Sequence, residues 1–275
     1  PIFEFLATYD IDEAWSYRNK SWWRSVGGMM RDLLKGNWSD LSSRRKVLSG
    51  QMKDPYDSFD WMEAIHRKYG CKTVYFFLLA GTNGKYDKNN LPSEPAMRDL
   101  IQRIAYLYQT GIHPSWQSGD MPELLKKEIS LLDQLTGRRT EISRQHFLRF
   151  KLPDGYRKLI EADIREDHSM GYGTINGFRA SIASSFYWYD LKEEKATDLL
   201  IHPFCFMDAN AYYEQRQTTD ETLNELKYYL NEVRSVNGKL ITLWHNTFLG
   251  TEKRFEGWKD LYEQFISMVS SDSKV

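Results

Sequence analysis

Apolar and polar positions along the chain follow two periods that take turns. Runs rich in β-branched and aromatic residues predict strands, and they fall at 2–9, 73–80, 108–112, 146–150, 177–188, 197–207 and 239–244. Apolar residues three and four positions apart predict helices, at 58–70, 95–109, 121–135, 219–233 and 256–269, with part-helical spacing in 22–48. The strand and helix patterns alternate over most of the chain.

This alternation predicts a single parallel α/β domain spanning residues 1–275 and favours a barrel. A doubly wound open sheet is the alternative, but no glycine-rich phosphate-binding motif supports it. There is no internal repeat, low-complexity block or proline-rich linker. The chain enters its first strand directly after Pro1, so we expect a domain excised from a longer protein, and the sequence predicts no compartment.

Composition narrows the function classes. A content of 41% hydrophobic and 27% charged residues is typical of a folded chain, and the net charge of −1 gives no argument for nucleic acid or an anionic membrane as partner. The longest apolar stretch, 74–80, is too short to cross a bilayer. Cys71 and Cys205 are predicted to be buried thiols. The 15% of aromatic residues supports carbohydrate binding only weakly.

Polar residues that stop predicted strands carry the strongest signal. Asp10 and Asp12 end the first strand on one face, and two carboxylates this close need a cation or a shared proton. By itself the pair equally fits a helix N-cap and a solvated acid. His113 and His245 also end strands, and His146 lies in one. Two aspartates and three histidines at one edge of a sheet indicate a divalent metal site.

At these residues the sequence resembles the polysaccharide deacetylase, or NodB-homology, domains of carbohydrate esterase family 4, and in particular a divergent bacterial branch. The resemblance covers nearly the whole chain. It implies a distorted, incomplete (β/α) barrel and the metal-dependent removal of an acetyl group from an N-acetylated or O-acetylated sugar. It also implies that Asp10 is the catalytic base and that Asp12 is a metal ligand.

The second family motif departs from the pattern. It normally supplies two metal-binding histidines four residues apart; here His113 takes the first place and Gln117 the second. We expect His146 to replace the missing ligand, with His168 and Gln117 itself as the alternatives. If none does, the chain is a catalytically silent glycan-binding protein. The other reading of His146 is a histidine that only packs in the core.

The remaining motifs map onto further residues. Arg144 matches the arginine that orients the base, with Arg179 as the alternative. Asp167 matches the acid that tethers the acid histidine, and His245 matches that histidine. The side chains expected to contact the sugar are Trp116, Tyr172, Arg179 and Trp244.

The resemblance implies zinc as the cofactor, although a site of one aspartate and two histidines also accepts cobalt, nickel or iron. The implied partner is a carbohydrate substrate, with no nucleic acid and no transmembrane segment, and the oligomeric state is left open. A haloacid dehalogenase-like phosphatase is a further alternative, because Asp10 and Asp12 also resemble the first motif of that family. The histidines at the strand ends argue against it.

Overall fold

The computed structural model describes residues 2–20 and 22–271, without the side chains of residues 22, 23 and 271. The strands in this part of the chain are β1 (Glu4–Ile11), β2 (Thr73–Leu78), β3 (Gln109–His113), β4 (Ile142–Ser143), β5 (Glu166–Asp167), β6 (Phe186–Asp190), β7 (Lys195–Ile201), β8 (Phe206–Met207) and β9 (Lys239–His245). The helices are α1 (Trp22–Leu34), α2 (Trp38–Leu48), α3 (Phe59–Tyr69), α4 (Pro95–Leu107), α5 (Pro122–Thr136), α6 (Asp154–Glu161), α7 (Thr219–Ser235) and α8 (Trp258–Ser271).

All nine strands form one sheet in the order β6-β7-β5-β4-β3-β2-β1-β9-β8. Every neighbouring pair is parallel except β6 and β7. The chain passes from β7, the second strand in this order, to β8 at the far edge through residues 202–205 alone. That link reaches about 18 Å, whereas the same strands in a flat sheet would lie about 34 Å apart. The sheet is therefore strongly curled.

The two faces of the curled sheet carry separate apolar clusters. The outer cluster joins alternate strand residues such as Tyr9, Tyr75 and Trp244 to the helices. The inner cluster is made by residues of the strands and of the link before β8, and it joins Ile142 of β4 to Met207 of β8. The curled sheet forms a barrel that stays open, because its two edge strands, β6 and β8, are not paired with each other.

Local signals explain most element boundaries. Gly70 and Gly137 end α3 and α5 in the left-handed conformation, with φ of 66° and 68°. Thr218 and Glu221 form a reciprocal capping box at the start of α7. The predicted helices and the strands at 2–9, 73–80, 108–112 and 239–244 are present within a few residues of their predicted bounds.

Three strand predictions are wrong. Residues 146–148 form a 3-10 turn, in which Phe147 and Leu148 have φ of 57° and 49°, and the strand there is β4. The predicted strand 177–188 is extended only from Phe186. The predicted strand 197–207 is two strands, because the chain leaves β7 after Ile201 and crosses to β8.

The predicted α/β fold with an incomplete barrel is confirmed. None of the helices in the described part of the chain is long and apolar enough to cross a membrane. Cys71 and Cys205 are both free, Cys205 buried and Cys71 partly exposed.

Gly111 of β3 gives a test of the packing inside the curl. A Cβ at this position would lie 2.7 Å from the Ile142 carbonyl oxygen and 2.8 Å from the Phe76 ring. We expect Gly111→Ala to lower the free energy of unfolding by about 1–3 kcal/mol, because the interior cannot accept the extra methyl group. Urea unfolding measures it. Gly27→Ala on α1 is the control, since nothing lies within 4 Å of its Cβ position; an equal loss in both variants would contradict the prediction.

Candidate active site

The candidate site lies at the carboxyl ends of the parallel strands, where ligands bind in open α/β sheets. Strand register sets this arrangement: Asp10 of β1 is paired with His245 of β9, and Leu78 of β2 with His113 of β3. Asp12 follows β1 by one residue, and His146 lies in the turn after β4. The five predicted residues therefore meet at one end of the barrel.

Asp12, His113 and His146 form a compact group, in which one ligand atom of each lies within 4.8 Å of the other two. The Nε2 atom of His113 is 3.3 Å from Asp12 Oδ1, and that of His146 is 3.8 Å from Asp12 Oδ2. Asp12 Oδ1 is buried and has no hydrogen-bond partner among the described residues. A buried carboxylate oxygen without a donor is a position that a cation can satisfy.

Both histidines are oriented by acceptors behind them. His113 Nδ1 donates to the Arg144 carbonyl oxygen at 2.6 Å, and His146 Nδ1 donates to Asp87 Oδ1 at 3.0 Å. Each Nε2 atom faces Asp12 and offers a lone pair to an ion when the imidazole is neutral. Metal-binding histidines are held by this kind of contact, so the three residues fit a divalent ion such as zinc.

Three neighbouring histidines favour the ionised form of Asp12. Burial alone would raise the pKa of the Asp12 carboxyl group, but His146, His113 and His245 hold that pKa well below its usual range. Asp12 is thus ionised at neutral pH, as a metal ligand must be.

Asp10 lies beside this group and is held by an arginine. Arg144 Nη1 donates to Asp10 Oδ1 at 3.0 Å, and Asp10 Oδ2 is 3.7 Å from His113 Nε2. Arg144 is completely buried, and its Nε donates to the His168 carbonyl oxygen at 3.0 Å. A charge-assisted hydrogen bond of this kind fixes the orientation of the carboxylate. The predicted contact between Asp10 and Arg144 is present.

His245 faces Asp12 from the other side, with its Nε2 3.9 Å from Asp12 Oδ2. Its Nδ1 donates to Asp208 Oδ1 and its backbone N–H to Asp208 Oδ2, both at 2.6 Å. Burial alone would lower the pKa of His245. The negative charge of Asp208, with smaller contributions from Asp12 and Asp10, instead raises that pKa to about 10. The His245 imidazole is therefore protonated at neutral pH.

The prediction that Asp167 tethers His245 is wrong. Asp167 accepts hydrogen bonds from Ser143 Oγ at 2.9 Å and from Ser169 N and Oγ at 2.9 and 2.8 Å. It lies on β5, which four strands separate from β9, whereas Asp208 directly follows β8, the neighbour of β9. Asp167 instead ties β4 to the segment after β5.

Two predicted sugar contacts lie in the packing of the protein. Trp244 is fully buried against Phe206 and Tyr262 on the outer face of the sheet. Trp116 is stacked on Tyr86, with ring centroids 4.1 Å apart, and the Arg149 guanidinium lies 4.4 Å from its ring centroid. Contacts this close on one ring require its two faces, so neither tryptophan offers a free face to a sugar.

The other two predicted sugar contacts lie away from the cleft. Arg179 is exposed, lies near the Phe150 ring and the Gly171 carbonyl, and does not contact Asp10. Tyr172 is 38% exposed and does not line the cleft, although the next residue, Gly173, does. Gln117 also lies outside the cleft, in a separate depression beside Glu128. His168 is buried elsewhere, so of the proposed third ligands only His146 reaches Asp12 and His113.

The cleft over the site has a volume of about 440 Å³. Five aromatic side chains that are not among the predicted sugar contacts form part of its wall: Tyr56, Tyr86, Phe147, Tyr213 and Phe248. Phe147 and Tyr213 are 59% and 49% exposed, which leaves aromatic surface for a flat ligand. The sequence also did not predict Asp87 and Asp208, the carboxylates that accept from His146 and His245. Asp208 follows an apolar run as Asp10 does, whereas Asp87 lies in a polar loop without a pattern.

Solved structures share this fold over nearly the whole chain. A candidate polysaccharide deacetylase from Mycobacterium smegmatis has a TM-score of 0.59 at 12% identity, over 98% of this chain and 85% of that protein. A candidate polysaccharide deacetylase from Pseudomonas aeruginosa PAO1 has a TM-score of 0.57 at 11% identity, with the same coverage. The predicted resemblance is thus confirmed: the chain has the fold of the polysaccharide deacetylases.

The fold alone does not define a reaction. A 4-alpha-glucanotransferase from Thermococcus litoralis also matches, with a TM-score of 0.53 at 12% identity, over 98% of this chain and 38% of that one. No protein-family model matches the sequence, and no curated protein matches it. A function must therefore be inferred from the side chains of the site.

The contact between Asp208 and His245 gives a test in the metal-free protein. We expect Asp208→Asn to lower the pKa of His245 from about 10, since burial remains while the neighbouring charge is lost. His245 would then lose its proton at lower pH. An NMR titration of the imidazole after chelator treatment measures this. Asp167→Asn is the control and should leave the pKa of His245 unchanged. A shift with Asp167→Asn alone would show that Asp167, and not Asp208, is the acid that tethers His245.

Proposed function

We propose that the protein is a metal-dependent deacetylase that removes an acetyl group from an N-acetylated or O-acetylated sugar or polysaccharide. The proposal rests on one observation: three functional groups of side chains lie together in one cleft. A ligand group (Asp12, His113 and His146) lies beside an arginine-held carboxylate and opposite a protonated histidine. Hydrolysis of an amide or ester needs an electrophile, a base and an acid in this relation.

Asp12, His113 and His146 would hold the metal ion. Zinc suits one carboxylate and two imidazoles, and cobalt, nickel and iron also accept such a site. A bound divalent ion supplies Lewis-acid polarisation of the acetyl carbonyl group and lowers the pKa of a water molecule. His146 would supply the metal ligand that the second histidine of the family motif supplies, because this chain has Gln117 at that position.

Asp10 is the proposed base. Its carboxylate accepts a hydrogen bond from Arg144 and lies 3.7 Å from His113, next to the ligand group. There it accepts a proton from the attacking water as the oxygen–carbon bond forms. Arg144 has no contact with the cleft surface, since it is completely buried, so its part is to position Asp10.

His245 is the proposed acid. Its Nε2 faces the cleft and carries a proton at neutral pH, because Asp208 stabilises the imidazolium from behind. As the bond between the acetyl carbon and the sugar nitrogen or oxygen breaks, Nε2 donates this proton to the leaving group. The products are acetic acid, which ionises in solvent, and the free amine or hydroxyl group. The proton on Asp10 passes to His245, directly or through solvent, and both groups regain their starting state.

A catalytically silent glycan-binding protein is the second candidate. Gln117 in the motif position of a ligand favours it, together with the exposed aromatic rings of Phe147 and Tyr213 beside the cleft. The two proposals differ in metal content and in acetate release.

Metal content tests the role of His146. We expect His146→Ala to lose tightly bound zinc, because two protein ligands are fewer than the three usual in catalytic zinc sites. Gln117→Ala is the matched control and should keep its zinc, since Gln117 does not line the cleft. Elemental analysis after chelation and zinc return measures both, with folding checked by circular dichroism. Full zinc content in His146→Ala would contradict the assignment.

Acetate release separates base from ligand. With acetylated oligosaccharides as substrates, we expect Asp10→Asn to keep zinc and to lose about 10²–10⁴-fold in rate, as for a missing general base. Asp12→Ala should lose zinc and activity together. Equal zinc loss in both variants would mean that the two roles are misassigned. A zinc-loaded wild type that binds these sugars and releases no acetate would favour the silent glycan-binding protein.

A further inference from the structure

A second group of ligand-type side chains lies away from the cleft, at Glu166, His168 and His202. One ligand atom of each lies within 4.8 Å of the other two. His202 Nε2 is 3.0 Å from Glu166 Oε2, and the two imidazole rings are stacked with centroids 4.3 Å apart. The proposed deacetylation uses none of these residues.

The strand register brings this group together. Glu166 and Asp167 of β5 are paired with Leu200 and Ile201 of β7, so the residues that follow, His168 and His202, lie side by side. Alternation along a strand places Glu166 and His168 on the same face. The three side chains thus converge because of the backbone and not through a chance surface contact.

One ring nitrogen of His168 has no hydrogen-bond partner in the described part of the chain, although the residue is deeply buried. Its side chain is 1% exposed, and its Nδ1 has no hydrogen-bond partner among the described residues. A buried polar atom that is left unsatisfied is destabilising. The imidazole lines a cavity of about 460 Å³, which Glu166 and His202 also line. Thr73 Oγ1, on the same wall, is likewise buried without a partner.

This cavity is separate from the active-site cleft. Besides Glu166, His168 and His202, it is lined by the first residues of β1, β2, β3 and β9, so it lies at the amino ends of these four strands. The cleft lies at the carboxyl ends of the same strands. The residues that line the two do not overlap. A ligand here would therefore leave the reaction site free.

We propose that Glu166, His168 and His202 form a second divalent-metal site, which binds zinc. One carboxylate and two imidazoles are the donor set of the cleft site as well. His202 Nδ1 is 2.7 Å from Ser185 Oγ, so this nitrogen is oriented from behind while Nε2 faces Glu166. The bound ion would join β5 to the end of β7, directly before the link 202–205 that connects the two edges of the sheet. Its role is structural.

Lys239 makes the proposal sharply testable. Its Nζ is 3.4 Å from His202 Nδ1, and the side chain lines the same cavity. An ammonium group this close repels a cation. Lys239→Met should therefore tighten zinc binding at this site by about tenfold or more, since like charges a few ångströms apart near a protein surface repel each other strongly. A cavity that only holds water or packs the fold would show no such gain.

The experiment uses the full chain with the cleft ligands removed, as Asp12→Ala/His146→Ala, so it does not depend on the proposed function. We expect this protein, freed of metal and checked by circular dichroism, to bind one equivalent of zinc by calorimetry and to gain thermal stability with zinc. Cobalt(II) at the site should give the visible absorption of a nitrogen- and oxygen-coordinated ion. Adding Glu166→Gln, whose side chain is 36% exposed, should weaken binding at least tenfold.

Asp198→Asn on β7 is the matched control for Glu166→Gln. It removes one negative charge from a side chain that is 92% exposed and lies outside the cavity, and it should leave zinc affinity unchanged. Absence of zinc binding by the folded Asp12→Ala/His146→Ala protein would overturn the proposal. Equal weakening by Glu166→Gln and Asp198→Asn, or no tightening by Lys239→Met, would overturn it as well.

Discussion

The buried pair of Arg144 and Asp10 is the interaction on which the active-site geometry depends. Arg144 is fully enclosed, with Phe76 under its guanidinium, and its Nη1 bonds the Asp10 carboxylate. A charge removed from water this completely is tolerated only when it is paired, and loss of one partner leaves the other uncompensated. The same residue accepts a hydrogen bond from His113 through its carbonyl oxygen. One arginine thus positions both the proposed base and a proposed metal ligand.

The fold supplies a supporting acceptor to each of the three histidines at the cleft. The Nδ1 atoms of His113, His146 and His245 are bonded to a backbone carbonyl, to Asp87 and to Asp208, in that order. All three Nε2 atoms face Asp12 as a result. Neutral imidazoles can then share a cation, while the carboxylate of Asp208 favours the protonated form of His245. Asp87 and Asp208 are both carboxylates, so the charge of the supporting acceptor does not by itself separate the proposed ligand His146 from the proposed acid His245.

The sequence predicted those site residues that directly end a strand, and it failed where tertiary structure intervenes. Asp10, His113 and His245 were found because an apolar run stops at each of them. Asp208 ends a strand in the same way but is not predicted, because the apolar pattern of 197–207 indicates one strand and the crossing between sheet edges leaves no local pattern. Trp244 was a wrong choice that alternation alone could have excluded. It precedes His245, which faces the cleft, so its own side chain must point to the outer face.

Anomalous diffraction at the zinc edge, from crystals of the wild-type protein loaded with zinc, would show whether His146 replaces the histidine missing at Gln117 and completes a three-residue metal site. We expect a peak about 2.0–2.3 Å from His113 Nε2, His146 Nε2 and an Asp12 oxygen, with Asp10 outside bonding distance. A peak in the cleft that His146 does not contact, or one that Gln117 has moved in to bind, would contradict this expectation.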